Sequence, residues 1–324
     1  MSRFSIVSTL HPVWQMKIRR RPYVLSHGVT SRCNMQCPFC EYWQEEKPEM
    51  TFEEITQMLD DAADFGIGVY NAWTTEPLLR EDLPAILEHA HSKGIMTSLV
   101  TNGLLLEKRL PDLSNLDFLS ISVDGLESYR EIRGIDISRI LPGIKKSVEI
   151  MERPVLLNCV ISSKNVDELT DLVYFAAEIG ARISFEPLYE FENIKDDVWD
   201  NMEVKDREAY CRALDSLIEM KSQGYPIINS LTYLKMVRNR KPSFKCHAPD
   251  IILNVGCDGM VETCRVHRQP LADIRQGVEN AWRASKETMA KTVNECDKCL
   301  FFGYAENSLL YDYNLEALRH YEWM

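Results

Sequence analysis

Ten cysteines are spread through 324 residues, and three of them, Cys33, Cys37 and Cys40, stand at C-x3-C-x2-C spacing within Ser31-Arg-Cys-Asn-Met-Gln-Cys-Pro-Phe-Cys40. Thiolates are the usual holders of iron-sulfur clusters. A four-iron cube held by three of them leaves one iron able to coordinate something else, and an open iron is a reaction site. Further along, Cys246, Gly259 and Cys264 fit C-x12-G-x4-C and are followed by Cys296-Asp-Lys-Cys299. Four thiolates are enough to close a site completely, around either an iron-sulfur cluster or a tetrahedral zinc ion.

The elements that must position these groups are readable. Short apolar segments near 23–29, 68–73, 95–101, 117–123, 155–161 and 182–188 alternate with helical patterns, the rhythm of βα units around a parallel sheet. Thr51 and Glu54 form a capping-box pattern ahead of Ile55, Met58, Leu59 and Ala62, which predicts a helix from Thr51 to Phe65. A second helix is predicted from Asn165, with Leu169, Leu172, Val173 and Ala176 apolar and Gly180 as its end. Between Cys246 and Cys264, the runs Ile251–Val255 and Met260–Thr263 flank Asp258-Gly259, a turn pair that tolerates positive φ. That hairpin brings Cys246 and Cys264 to one end.

The cysteine spacing, Phe39 just before the third cysteine, and the place of the motif after an early strand resemble the radical S-adenosylmethionine (radical SAM) superfamily. The resemblance implies a partial (β/α)6 TIM-like barrel. It also implies that the open iron at Cys33, Cys37 and Cys40 chelates S-adenosyl-L-methionine, whose reductive cleavage gives a 5'-deoxyadenosyl radical that abstracts hydrogen from a C–H bond. Reactive groups of such a barrel belong at the C-terminal ends of its strands. Thr74-Thr75-Glu76-Pro77 stands where the family usually has Gly-Gly-Glu-Pro, so Glu76 and Pro77 match as cofactor contacts while both glycines are replaced by threonine. Thr101-Asn102-Gly103 and Ser120-Ile-Ser-Val-Asp-Gly125 resemble the next strand-end motifs, which assign Asn102, Ser122 and Asp124 to the cofactor. Asn158 and Glu186, on the fifth and sixth strands, are further candidates to reach cofactor or substrate.

The C-terminal cysteines, with Leu271-Ala-Asp-Ile-Arg-Gln-Gly277 and Trp282, resemble the SPASM extension of this superfamily in its shorter twitch form. An auxiliary 4Fe-4S cluster on Cys246, Cys264, Cys296 and Cys299 is implied, with zinc as the alternative. The expected domains are an N-terminal segment 1–22, the barrel 23–200, a helical connector 201–240 and an auxiliary unit 241–324. Cys159 and Cys211 read as small buried hydrophobes. Cys257, at the hairpin tip, is a candidate hydrogen donor to a substrate radical. His247 and His267 adjoin ligand candidates, and Tyr189, Tyr304, Trp73 and Trp199 are either pocket or core.

Composition limits the partners. A formal charge of −12 disfavours nucleic acid, which demands clustered Lys and Arg. The one basic run, Lys17-Ile-Arg-Arg-Arg21, follows Val13 and Trp14; it reads as a solvated face, with membrane-surface contact as the alternative. No signal-peptide pattern or membrane-length apolar run is evident, so a cytoplasmic protein is expected. The resemblance further implies a small-molecule substrate and an electron donor such as flavodoxin or ferredoxin. A fused peptide-recognition domain is not expected ahead of the first strand. The leading expectation for the reaction is dehydrogenation of a sugar or cyclitol alcohol, with epimerisation, peptide maturation or lipid and isoprenoid modification as alternatives. Outside catalysis stand a zinc-stabilised binding module and an iron-sulfur electron carrier.

Overall fold

A computed structural model describes residues 11–189, 194–296 and 299–317. Six strands, β1 (Val24–Gly28), β2 (Val69–Trp73), β3 (Met96–Thr101), β4 (Phe118–Ser122), β5 (Leu156–Ile161) and β6 (Arg182–Pro187), lie within a residue or so of their expected bounds. Each pairs in parallel with its sequence neighbour. The connecting segments carry α1 (Phe52–Phe65), α2 (Leu83–Ser92), α3 (Leu141–Ile150) and α4 (Leu169–Ile179), as parallel crossovers require. The fold is the α/β partial barrel expected.

Helix boundaries follow local chemistry. Thr51 accepts from the Glu54 amide and the Glu54 carboxylate accepts from the Thr51 amide, while Gly66 closes α1 at φ 105°. α4 begins four residues later than its polar start suggests. Asn165 accepts from the Ser162 amide and donates to Val160 O, so this asparagine caps a turn rather than a helix. Beyond the barrel, α5 (Arg207–Ser222) packs on α6 (Leu231–Asn239).

The hairpin does not stand apart from the barrel. β7 (Ile252–Val255) pairs in parallel with β1, and β8 (Met260–Glu262) and β9 (Pro270–Asp273) continue antiparallel, giving the order β6-β5-β4-β3-β2-β1-β7-β8-β9. The sheet therefore carries the Cys33–Cys40 loop after β1 and Cys264 after β8, while Cys296 and Cys299 follow the helix after β9. α7 (Val278–Glu295) then packs on α1 and β9, and α8 (Phe302–Tyr311) contacts β6.

Alternation divides the strands into two faces. Leu25, Tyr70, Leu99, Leu119, Ile121, Leu157, Ile183 and Phe185 are fully buried and join the helices in one continuous core. The other face is polar. Asn254, Ser26, Asn71 and Ser98 stand side by side on neighbouring strands, as do Ser122, Asn158 and Ser184. Asn71 donates to Ser26, and Ser184 to Asn158. A lumen lined this way suits a polar ligand.

Glu306 on α8 is buried; one oxygen accepts from the Ser230 amide and the other has no hydrogen bond. Burial pushes its carboxyl up to about 7 from the ordinary 4.5. A raised carboxylic acid favours the fold while protonated, so this contribution is present below about pH 4.5 and is lost as pH rises through 7. Glu306→Gln is expected to stabilise the protein at pH 8 by roughly 2 kcal/mol and to have little effect at pH 5. Melting temperatures of both proteins across that range check it, and an equal shift at both pH values refutes it.

Candidate functional site

The three N-terminal cysteines lie on the loop that leaves β1. Glu49 gathers the start of this loop: its carboxylate accepts from Thr30 Oγ1 at 2.6 Å, from the Ser31 amide at 3.1 Å and from Arg32 Nε at 3.2 Å. Within the loop the Cys40 amide donates to Cys37 O, Trp43 Nε1 donates to the same carbonyl, and the Met35 amide points at Cys33 Sγ. All three cysteines are free thiols close enough to repel one another's charge. Burial raises each, Cys37 to about 11, with Arg133 opposing at Cys37 and Cys40. Buried thiols in mutual opposition are a donor set that a cationic centre converts to thiolates.

Glu76 and Pro77 are buried, and both Glu76 oxygens are engaged by neighbouring groups. Its carboxylate accepts from Thr101 Oγ1 at 2.7 Å, from the Asn102 amide at 2.8 Å and from the Leu78 amide at 3.1 Å. Burial nonetheless pushes it up to about 7. It is a bracket between the ends of β2 and β3, and what it holds is Asn102. Asn102 Nδ2 in turn donates to Asn34 Oδ1 at 2.8 Å and lies 3.8 Å from Cys33 Sγ. The preceding threonines take the backbone that glycines favour: Thr74 has φ 75° and Thr75 φ 50°. Thr75 Oγ1 donates to Thr30 O at 2.8 Å, which ties this strained turn to the cysteine loop.

Asp124 is likewise turned inward. It is fully buried, accepting from the Val160 amide at 2.9 Å and from Arg133 Nε at 2.5 Å. Arg133 is the residue presented to the cysteines: its guanidinium lies 5.6 Å from the Phe39 ring centroid and favours the charged forms of Cys37, Cys40 and Glu76. None of the sequence motifs pointed to Arg133. The signal was Gly134, which caps the short helix Tyr129–Arg133 at φ 80° and fixes where that arginine emerges. Ser122 and Asn158 sit together on the lumen face. Glu186 accepts from the Phe302 amide at 3.0 Å, and burial raises it to about 7.

Cys246, Cys264, Cys296 and Cys299 lie near enough to influence one another's ionisation. Cys299 senses the charge of the other three, and Cys246 that of Cys264 and Cys296. Burial raises Cys246 and Cys264, and Cys299 to about 12. His267 lies between them, its amide 3.4 Å from Cys264 Sγ and its Nε2 3.4 Å from Cys296 Sγ. The chemistry of the four thiols is that of a metal-ligating set, but among the described residues no three Cys, His, Asp or Glu side chains are gathered closely enough to hold a metal ion as they stand. His247 instead stacks on Tyr311 and bonds Asp250.

Cys257 is not brought beside the other cysteines. It is buried where its carbonyl accepts from the Met50 amide, next to Thr74, Lys47 and Glu262, and its thiol is pushed up to about 11 by burial. Cys159 is buried in the core and Cys211 half-buried on α5. Tyr189 and Trp199 line a cleft of about 490 Å³ that also touches Cys296, Cys299 and Arg240. Of the basic run, Lys17 lies over the Tyr311 ring at 3.3 Å and Arg21 pairs with Glu279 at 2.6 Å. No described helix is long and apolar enough to cross a membrane.

Residues 28–176 match the Radical SAM superfamily. A probable GTP 3',8-cyclase of Methanocaldococcus jannaschii is 29% identical over 274 residues, covering 80% of this chain and 90% of the relative. Another of Methanococcus maripaludis is 30% identical over 270 residues, covering 78% and 88%. Among solved structures, anSMEcpe with bound AdoMet and a Cp18Cys peptide superposes at TM-score 0.65 with 21% identity, covering 88% of both chains. Streptococcus suis SuiB bound to S-adenosylmethionine gives 0.65 at 17% identity, covering 79% of this chain and 64% of SuiB. These likenesses show the fold. The relatives overturn the expected sugar or cyclitol dehydrogenation, because proteins matched over nearly their whole length are named for forming a ring in GTP, not for oxidising an alcohol.

Proposed function

The chain belongs to the radical SAM superfamily, and from that premise we propose that it acts on a nucleotide-class small molecule, with ring closure in GTP as the leading reaction. One observation carries the reading: relatives aligned over 78–80% of this chain at 29–30% identity bear the name GTP 3',8-cyclase. The polar lumen agrees with it, since a purine nucleotide offers hydrogen-bonding edges to Ser26, Asn71, Ser98 and Asn158.

The family binds a 4Fe-4S cluster and S-adenosylmethionine, which together supply a radical able to take hydrogen from carbon. In our reading Cys33, Cys37 and Cys40 hold that cluster. Glu76 keeps Asn102 against Cys33, and Asp124 keeps the cation of Arg133 against Cys37 and Cys40, where it offsets negative charge. Ser122 and Asn158 offer neutral hydrogen-bonding groups to the cofactor or substrate. Glu186 is held near neutrality and can donate or accept a proton within the lumen.

Cys246, Cys264, Cys296 and Cys299 hold a second cluster in this reading, as a twitch-type extension, with electrons delivered by a carrier such as flavodoxin or ferredoxin. The division at 1–22, 23–200, 201–240 and 241–324 belongs to the same proposal.

Anaerobically reconstituted protein, incubated with S-adenosylmethionine, dithionite and GTP, is expected to consume GTP and to release 5'-deoxyadenosine at least tenfold faster than without GTP. A rate indifferent to GTP, with GTP recovered intact, refutes the assignment.

A further inference from the structure

Arg265 directly follows Cys264 in sequence, yet its side chain lies at the mouth of the barrel. Its Cζ is 3.4 Å from the centroid of the Trp73 ring, at the C-terminal end of β2, and 4.9 Å from that of Phe301. The backbone is fixed from both sides: its amide donates to Tyr304 Oη at 2.8 Å and its carbonyl accepts from Tyr42 Oη, two residues beyond Cys40. The residue thus stands between the two cysteine groups.

The guanidinium makes no hydrogen bond and no ion pair among the described residues. Its faces are served by the rings, but its five N–H donors point along its edge and rings do not satisfy them. Glu186, the carboxylate whose charge it senses, lies beyond ion-pair distance, already accepts from the Phe302 amide, and is itself pushed toward its neutral form. Arg133, Arg268 and Arg80 differ: Arg133 is paired to Asp124, Arg268 to Glu41 and Glu45, and Arg80 to Asp82. A second donor is open beside it, since Trp73 is 8% exposed and its Nε1 has no partner.

An arginine held rigidly between aromatic rings with its edge unengaged is prepared for an oxyanion, which it can bind in bidentate fashion. We propose that Arg265, with Trp73 Nε1, is the anchor for an anionic group of the substrate, a phosphate or a carboxylate. The anchor rests on the proposed function, for GTP carries such a group, and it assigns the end of the substrate that faces the auxiliary cysteines.

The test uses reconstituted protein loaded with S-adenosylmethionine and kept oxidised, so that nothing turns over. Equilibrium dialysis measures GTP, guanosine, inorganic tripolyphosphate and citrate against wild type, Arg265→Lys, Arg265→Gln and Trp73→Phe. GTP is expected to bind wild type about 10- to 100-fold more tightly than guanosine, the range of one charged hydrogen-bonded contact. Arg265→Gln is expected to abolish that difference, Arg265→Lys to keep part of it, and Trp73→Phe, which preserves the ring, to lose about fivefold. Equal GTP affinity in wild type, Arg265→Gln and Trp73→Phe overturns the anchor and leaves the GTP reading standing. Failure of wild type to bind GTP, alongside Arg265-dependent binding of tripolyphosphate or citrate, overturns the GTP reading and supports the anchor, and the preferred anion tells phosphate from carboxylate. A variant that shifts only the potential of the auxiliary centre, with anion affinities intact, also overturns it.

Discussion

Alanine at Cys33, Cys37 and Cys40 together is expected to lower 5'-deoxyadenosine release by more than about a thousandfold while bound iron falls from about eight to about four per chain, the difference of one four-iron cluster. The three thiols sit on a loop pinned by Glu49 and by the tie from Asn102 to Asn34, neither of which the substitutions remove. The apolar core beneath the strands does not include Cys33 or Cys40. Circular dichroism and the melting temperature should therefore stay close to wild type. The reciprocal variant, alanine at Cys246, Cys264, Cys296 and Cys299, should lose the other half of the iron and keep measurable cleavage. Cleavage that survives the first variant, or complete iron loss in it, refutes the division of labour between the two groups. A zinc-loaded protein without sulfide refutes it more broadly.

The two cysteine groups themselves were legible because spacing is local: C-x3-C-x2-C and C-x12-G-x4-C survive in one dimension. The strands were legible for the same reason, since β1 to β6 alternate with helices whose caps are written in Thr51, Glu54, Gly66 and Gly180. What could not be read is how a carboxylate uses its oxygens. Glu76 and Asp124 read as cofactor contacts; in the structure both are buried, with the oxygens of Glu76 engaged by Thr101, Asn102 and Leu78 and those of Asp124 by Val160 and Arg133. Only the sheet register brings those partners together. Pairing of β7 with β1 was equally hidden, because a local hairpin pattern says nothing about a neighbour more than two hundred residues away. Thr74 and Thr75 illustrate the converse: the sequence lacked glycine, yet the backbone kept the positive φ that the turn demands.

The second large effect concerns Asp124 and Arg133. Asp124→Ala is expected to destabilise the protein by about 3 to 5 kcal/mol, because deleting one member of a buried ion pair leaves the other charge uncompensated. Against a usual total of about 5 to 15 kcal/mol this is a large fraction, and the melting temperature should fall by roughly 10 °C. Asp124 is fully buried, Arg133 is one-tenth exposed, and the carboxylate also accepts from the Val160 amide, so water cannot easily replace the lost partner. Replacing both residues by leucine should recover most of the lost stability, since an apolar pair avoids the desolvation that the ions suffer. Recovery of cleavage should not follow. The double variant has no cation facing Cys37 and Cys40, and S-adenosylmethionine cleavage is expected to stay at least about tenfold below wild type, the size of a lost charge-assisted contact. A double-mutant cycle in melting temperature, read beside the same cycle in cleavage rate, separates the two roles. If stability and cleavage return together, Arg133 serves only to neutralise Asp124; if stability returns alone, the buried carboxylate exists to aim that arginine at the cysteines.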